Sequence, residues 1–246
     1  MNFSSIPMDS LIGKLLRWPL KLLPRSMVMP VLQGPMKGMR WVVGSGDHGY
    51  WLGSYELEFQ RIFADRVHPG DVVLDIGAHV GYYTLLAAKC VGSSGHVYAF
   101  EPLPRNAAYL ERHIHINRLE NVSFYQIAVS DSSGIVHFGG GVSSSTGRIT
   151  LTGDLEVEAA SLDDLLNTGQ IRTPSVMKID VEGAEFSVLH GGERLLREYH
   201  PAIFLATHGS QAHSDCTRFL DVLGYSLEPI NAGNVKNASE IFATKT

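Results

Sequence analysis

Short, predominantly apolar runs restrict the fold of this chain more than any other feature. Val72–Ile76 (VVLDI), His96–Phe100 (HVYAF), Val122–Ile127 (VSFYQI), Val176–Ile179 (VMKI) and Ala202–Ala206 (AIFLA) are rich in β-branched and aromatic residues. A strand with one wet face alternates apolar and polar residues, whereas a continuously apolar strand must be covered on both faces. Helical segments separate the runs: Ser54–Arg66, with Tyr55, Phe59, Ile62 and Phe63 on one face, then Gly81–Cys90, Pro104–Asn117, Ala184–Glu198 and Gln211–Leu223. Ser161–Leu166 opens another helix, with Ser161 as N-cap and Asp164 completing a capping-box pattern. With Ser226–Pro229 and Glu240–Ala243 closing the sheet, the pattern predicts an α/β fold. Its mainly parallel seven-stranded sheet carries helices on both faces.

The 246 residues suffice for one sizeable core. The expected division is an α/β domain over residues 51–246 and an N-terminal arm over residues 1–50, the arm containing a short strand, Met39–Val43. Within the arm, Leu11–Leu23 (LIGKLLRWPLKLL) spaces Lys14, Arg17 and Lys21 at helical intervals among leucines. Two readings stand for it: a basic amphipathic helix making peripheral membrane contact through residues 9–23, or a helix packed on the domain. No apolar run has the length of a membrane span, and the arm lacks a signal-peptide cleavage site. Ser130–Ala160 breaks the strand–helix rhythm. There Ile135–Phe138 and Val157–Ala159 read as strands around the Gly/Ser-rich loop Gly139–Gly147, a kind of loop that often covers a binding site. The net charge of −5 argues against general nucleic-acid binding. Two cysteines, Cys90 and Cys216, make neither a disulfide framework nor a zinc site, so a cytoplasmic, reducing location is the default.

Chemistry concentrates where apolar runs end. In VVLDIGAHVGYYT (Val72–Thr84), Asp75 ends a strand and Gly77 and Gly81 flank a turn into a helix. Such a turn brings backbone close to a ligand, and the helix start offers N–H groups to a carboxylate. Asp75 is suited to accept from an ammonium group. S-adenosylmethionine carries both groups at its methionine end. In AFEP (Ala99–Pro102), Glu101 follows the next strand and is placed to accept ribose hydroxyls. Arg105 or Asn106 would fringe the adenine, and Gln126–Ala128 would meet its edge. NAD is the competing ligand, but its fingerprint has a glycine where this chain has His79.

A third block, KIDVEGAEFSVLHGG (Lys178–Gly192), places Asp180, Glu182 and Glu185 at a strand end. Such carboxylates meet a cation or a polar substrate, or cap the following helix. His208, after the fifth run, is a candidate base for an attacking hydroxyl, with His213 and His79 weaker ones.

These segments resemble the FkbM family of S-adenosylmethionine-dependent methyltransferases. The likeness runs from about Trp51 to Thr207, through WLGSYE, PGDVVLDIGAHVGYYTLLAA, GHVYAFEP, NVSFYQIAVSD, SLDDLL and MKIDVEGAEFSVLHGG. It implies a Rossmann-like class I methyltransferase fold and O-methylation of a hydroxyl on a sugar, glycolipid or natural-product acceptor. It also implies a methionine-side shell of Asp75, Gly77, Ala78, Gly81 and Thr84, Glu101 as the ribose ligand, Glu56 closing over the cofactor and Asp180 with Glu182 facing the methyl group; His79, Pro102, Asn106 and Ala128 complete the candidate cofactor-binding residues. Asp180, Glu182 and His208 become the candidate catalytic residues. The family usually has a Glu where this chain has Ala206. Its loss shifts weight to Asp180 and His208, and leaves a non-catalytic adenosylmethionine-binding protein as the alternative, with an NAD-dependent oxidoreductase behind it. Whether a divalent metal takes part stays open.

Overall fold

The computed structural model describes residues 19–139, 148–149 and 155–245. Most of the Leu11–Leu23 segment and all but the first residue of the Gly139–Gly147 loop lie outside these. The sheet holds seven strands: β3 (Val72–Ile76), β4 (His96–Phe100), β5 (Val122–Tyr125), β10 (Val176–Ile179), β11 (Ala202–Ala206), β12 (Ser226–Pro229) and β13 (Glu240–Thr244). Their order is β12-β13-β11-β10-β3-β4-β5. Five are parallel, and the β12–β13 hairpin adds antiparallel to β11.

Strand residues divide by parity between two cores. Val73, Val97, Val176, Phe204 and Phe242 point to one face, packed by α2 (Leu57–Arg66) and α3 (Tyr82–Val91). Leu74, Ile76, Tyr98, Phe100, Met177, Ile203 and Leu205 point to the other, against α5 (Leu162–Asn167), α6 (Glu185–His190), α7 (Glu193–Tyr199) and α8 (Ser210–Val222). Both parities are apolar because both faces are covered. A second, four-stranded sheet, β6-β9-β7-β8, comprises Ala128–Val129, Leu155–Ala160, Gly134–Gly139 and Arg148–Ile149.

Four expected elements differ from the sequence reading; the strand expected over Val122–Ile127 ends at Tyr125. Ala184–Glu198 is two helices, α6 and α7, broken at Gly191 and Gly192. A Cβ on Gly191 would lie 2.0 Å from the Ser130 carbonyl, so the chain turns where another backbone crosses it. Ser54–Arg66 becomes helical only from Leu57, after the short α1 (His48–Leu52). At α5, Ser161 Oγ accepts from the Asp164 N–H, but the Asp164 carboxylate takes the Ser133 hydroxyl at 2.6 Å. Ser133 also accepts from Ser161 N–H, so the capping box is completed from outside the helix.

The arm's second half is built into the core. β1 (Val28–Pro30) and β2 (Arg40–Val42) pair antiparallel. The Trp41 ring stacks on His113 of α4 (Pro104–Asn117), centroids 3.9 Å apart.

Candidate active site

The carboxyl ends of β3, β4 and β10 open onto one cavity of about 170 Å³. One wall is Phe100–Leu103, Asn106 and Ile127–Val129; the other is Asp180–Glu182 and Ala184. Gly77 and His79 form the floor, and Tyr50, Tyr55 and Phe138 close the sides.

Glu101 is 4% exposed. Its carboxylate accepts from the N–H groups of His79 (2.9 Å) and Leu103 (3.0 Å) and from Asn106 Nδ2 (3.2 Å). Burial raises its proton affinity, and these donors oppose the rise. The turn spends the N–H groups that the sequence suggested were spare. Gly77 and Ala78 both donate to the Phe100 carbonyl, and His79 donates to Glu101. Gly77 has φ +80°, and a Cβ there would sit 1.9 Å from the Asp180 carbonyl. The glycine thus lets β10's end cross the turn as well as facing the cavity. Gly81 is the left-handed N-cap of α3, packed on Leu110 behind that wall.

Asp75 lies one layer below, fully buried. Its Oδ2 accepts from Thr84 Oγ1 at 2.6 Å, while Oδ1 accepts no hydrogen bond and faces Lys178 Nζ at 3.9 Å. Parallel register sets Lys178 beside Asp75. Nζ also lies 3.2 Å from Asp180 Oδ2. Sequence reasoning gave Lys178 no role, although an ionisable residue inside the strand VMKI was its signal. Burial would lower the proton affinity of Lys178, but Asp180 and Asp75 more than reverse that. Burial would likewise raise that of Asp180, yet Lys178 and His208 hold its carboxyl below the usual range.

His208, just past β11, stands behind Asp180 and Glu182. Its Nε2 is 3.7 Å from a carboxylate oxygen of each, and its Nδ1 is 2.8 Å from Glu185 Oε1. The Glu185 contact raises its proton affinity above 6.5, helped by Asp180 and Glu182 and opposed by burial. His213 turns away, to the Thr207 hydroxyl. Glu56 lies outside the cavity lining and accepts from Tyr83 OH at 2.8 Å. Ala206 pairs directly with Glu240 across the β11–β13 ladder, so a carboxylate stands at this strand end after all. Burial, then the charges of Glu56 and Asp180, push it up to about 7.

Five non-glycine residues have left-handed backbone among the described ones. Arg118 and His200 close helices, as such residues often do. His79 and Glu182 line the cavity, where such strain tends to be retained, and Glu56 is the residue that opens α2. Among the described residues, no three His, Cys, Asp or Glu side chains are grouped to hold a metal ion. Nor is any helix there long and apolar enough to cross a membrane.

The donor set fits an adenosylmethionine. Glu101 is a buried acceptor on the cavity wall and apolar residues flank it, whereas Asp75 and Thr84 lie outside the cavity lining.

The methyltransferase FkbM domain family matches residues 75–227. The chain is 25% identical over 175 residues to the hexuronic acid methyltransferase AglP of Haloferax volcanii, covering 70% of this chain and 71% of that one. It is 28% identical over 187 residues to the 31-O-demethyl-FK506 methyltransferase FkbM of Streptomyces tacrolimicus, covering 57% and 70%. Its fold matches the crystal structure of a methyltransferase FkbM from Methylobacillus flagellatus, with TM-score 0.54 and 16% identity. That match covers 81% of this chain and 56% of the other, so this chain spans little more than half of that protein.

Proposed function

The chain belongs to the FkbM methyltransferase family, and from that premise we propose that it methylates a hydroxyl oxygen on a sugar, glycolipid or natural-product acceptor, using S-adenosylmethionine. The observation that carries this is the cavity at the ends of β3, β4 and β10, with Glu101 on one wall and Asp180 and Glu182 on the other. Bound there, the cofactor supplies an electrophilic methyl group on a positively charged sulfur. In this assignment Glu101 holds the ribose hydroxyls, Pro102, Asn106 and Ala128 flank the adenine, and Asp75 with Thr84 and the Gly77–Gly81 turn serve the methionine end. Glu56 steadies the shell through Tyr83.

The chain's own contribution is to align the acceptor oxygen, exclude water and take up the acceptor proton. Alignment alone is worth about 7–11 kcal/mol of barrier. His208 takes the proton. Asp180 is a poor acceptor because Lys178 holds its charge, whereas His208 is a stronger base than an ordinary histidine. Asp180 and Glu182 orient the hydroxyl beside it. Residues 51–246 form the methyltransferase domain in this assignment, and Tyr50 makes the arm of residues 1–50 part of the cavity wall.

The likeness to a hexuronic acid methyltransferase sets the first acceptors to try. Calorimetry with S-adenosylmethionine, followed by release of S-adenosylhomocysteine with a panel of methyl hexosides, hexuronosides and glycolipids, tests the assignment. Binding with no release on any member would favour the non-catalytic alternative. The basic segment at residues 9–23 adds a peripheral contact with anionic lipid; equal pelleting of the full chain and a chain lacking residues 1–30 on phosphatidylserine vesicles would remove it.

A further inference from the structure

Glu185 has no part in binding the cofactor as assigned, yet it is the most deeply buried carboxylate beside the cavity, with no exposed surface. Burying a carboxylate is costly unless a cation and hydrogen bonds meet it. Its only ion-pair partner among the described residues is His208. The local backbone is shaped around this contact. Glu182 and Gly183 take left-handed conformations, with φ 56° and 108°. The Gly183 N–H then donates to Glu185 Oε1 at 2.9 Å, the same oxygen that faces His208 Nδ1. Glu185 Oε2 is buried without a hydrogen-bond partner, so the carboxylate has no competing donor to turn toward.

We infer that Glu185 is a positioning residue for methyl transfer: it holds His208 with a proton on Nδ1 and leaves Nε2 open toward Asp180, Glu182 and the acceptor hydroxyl. This rests on His208 being the base, as proposed above. A carboxylate oxygen only accepts, so the Nδ1···Oε1 contact fixes a proton on Nδ1, and in the neutral ring the lone pair is then on Nε2. As the acceptor oxygen bonds to the methyl carbon, its O–H bond breaks and the electron pair stays on oxygen. The Nε2 lone pair takes the proton. The resulting imidazolium is stabilised by Glu185 through Nδ1–H, and deprotonation to solvent restores the neutral ring. The carbon–sulfur pair stays on sulfur, so atoms and charge balance.

The charged groups facing His208 are Glu185 at the start of α6 and Asp180 and Glu182 in the loop before it. Behind Asp180 stand Lys178 on β10, His79 in the first turn and Glu240 on β13. Removing the Glu185 charge leaves the others in place, so the effect of this one group can be isolated.

The first experiment uses the wild-type protein without cofactor or acceptor. Nitrogen-15 shifts of the His208 ring should report the Nδ1–H tautomer in the neutral form, with a midpoint above 6.5. An Nε2–H tautomer overturns the inference without any variant. In Glu185→Gln, near-isosteric and keeping an oxygen acceptor, the midpoint should fall, and the acid limb of kcat/KM should fall with it. These rates are read with the best acceptor from the hexoside and hexuronoside panel. The value of kcat should drop at least ~10-fold, up to the ~10²–10⁴-fold that general-base catalysis contributes in full. A folded Glu185→Gln whose midpoint and acid limb match wild type also overturns it. His208→Gln separates the two levels. If it turns over like wild type, the base assignment has failed. If it is crippled while Glu185→Gln keeps the wild-type pH profile, only the positioning role has failed.

Discussion

Replacing His113 with glutamine should flatten the acid limb of this protein's stability curve. His113 lies fully buried on α4, under Trp41. The Val42 N–H donates to its Nε2 at 3.0 Å, so the ring proton is on Nδ1 and donates to the Val80 carbonyl at 2.7 Å. One neutral ring thus ties the N-terminal arm to the turn that floors the cavity. Protonating Nε2 would set a donor against a donor in a buried site. Burial lowers the affinity of His113 for that proton to about 4, with a smaller contribution from Arg112, against the pull of the Val80 carbonyl. Because the folded value lies below the unfolded 6.5, the stabilisation is fully present above 6.5. It is lost as pH falls toward about 4. At about 1.36 kcal/mol per pH unit, the loss by pH 4 is roughly 3 kcal/mol. His113→Gln is less stable than wild type at pH 7.5 because it loses the stacking on Trp41. It carries no titration, so the gap should shrink by about 3 kcal/mol at pH 4, or roughly 6–12 °C in Tm for a chain of this size. Asp75 and Glu101, whose proton affinities burial raises, are common to both proteins and cancel in the difference. Thermal melts of the pair from pH 7.5 to pH 4 read it directly. A gap that stays constant with pH would refute the neutral, doubly bonded ring.

Three further outcomes follow from the site. Glu101→Gln should weaken S-adenosylmethionine binding about 10–100-fold by calorimetry, the worth of a charge-assisted hydrogen bond of about 1.5–3 kcal/mol; unchanged affinity would remove Glu101 from the ribose. Gly77→Ala combines a left-handed φ with a backbone collision at 1.9 Å, and should cost at least about 3 kcal/mol in denaturant titration. Gly169→Ala, also at positive φ (71°) but with nothing within 4 Å, should cost only about 1–2 kcal/mol, and equal losses would contradict the crossing at Asp180. Glu240→Gln should raise Tm at pH 8 and leave it unchanged near pH 4.5. The wild-type carboxyl, held at about 7, destabilises the fold only when ionised, and an equal effect at both pH values would exclude that.

Much of the fold follows from local pattern. β3, β4, β10 and β11 span the same residues in sequence and structure, because an apolar run between helical segments is a local property. The parity that divides Val73 from Leu74 between two cores is also written in each strand. The glycine-bearing turn after β3, the place of Glu101 at the end of β4 and family membership were legible for the same reason, since each rests on contiguous residues. Tertiary structure decided what lies between segments. Strand order and register place Lys178 beside Asp75 and set Glu240 opposite Ala206, 34 positions earlier in the chain. The crossing of Ser130 over Gly191 split a helix that periodicity alone would continue. Tyr50 and Phe138 became cavity walls from segments the pattern assigned to an arm and an irregular insertion. His208 and Glu185, 23 positions apart, meet only because β10 and β11 lie side by side and both chains turn at the same sheet edge. No local periodicity encodes which strand becomes a neighbour, and the chemistry at the far side of the cavity depends on those neighbours.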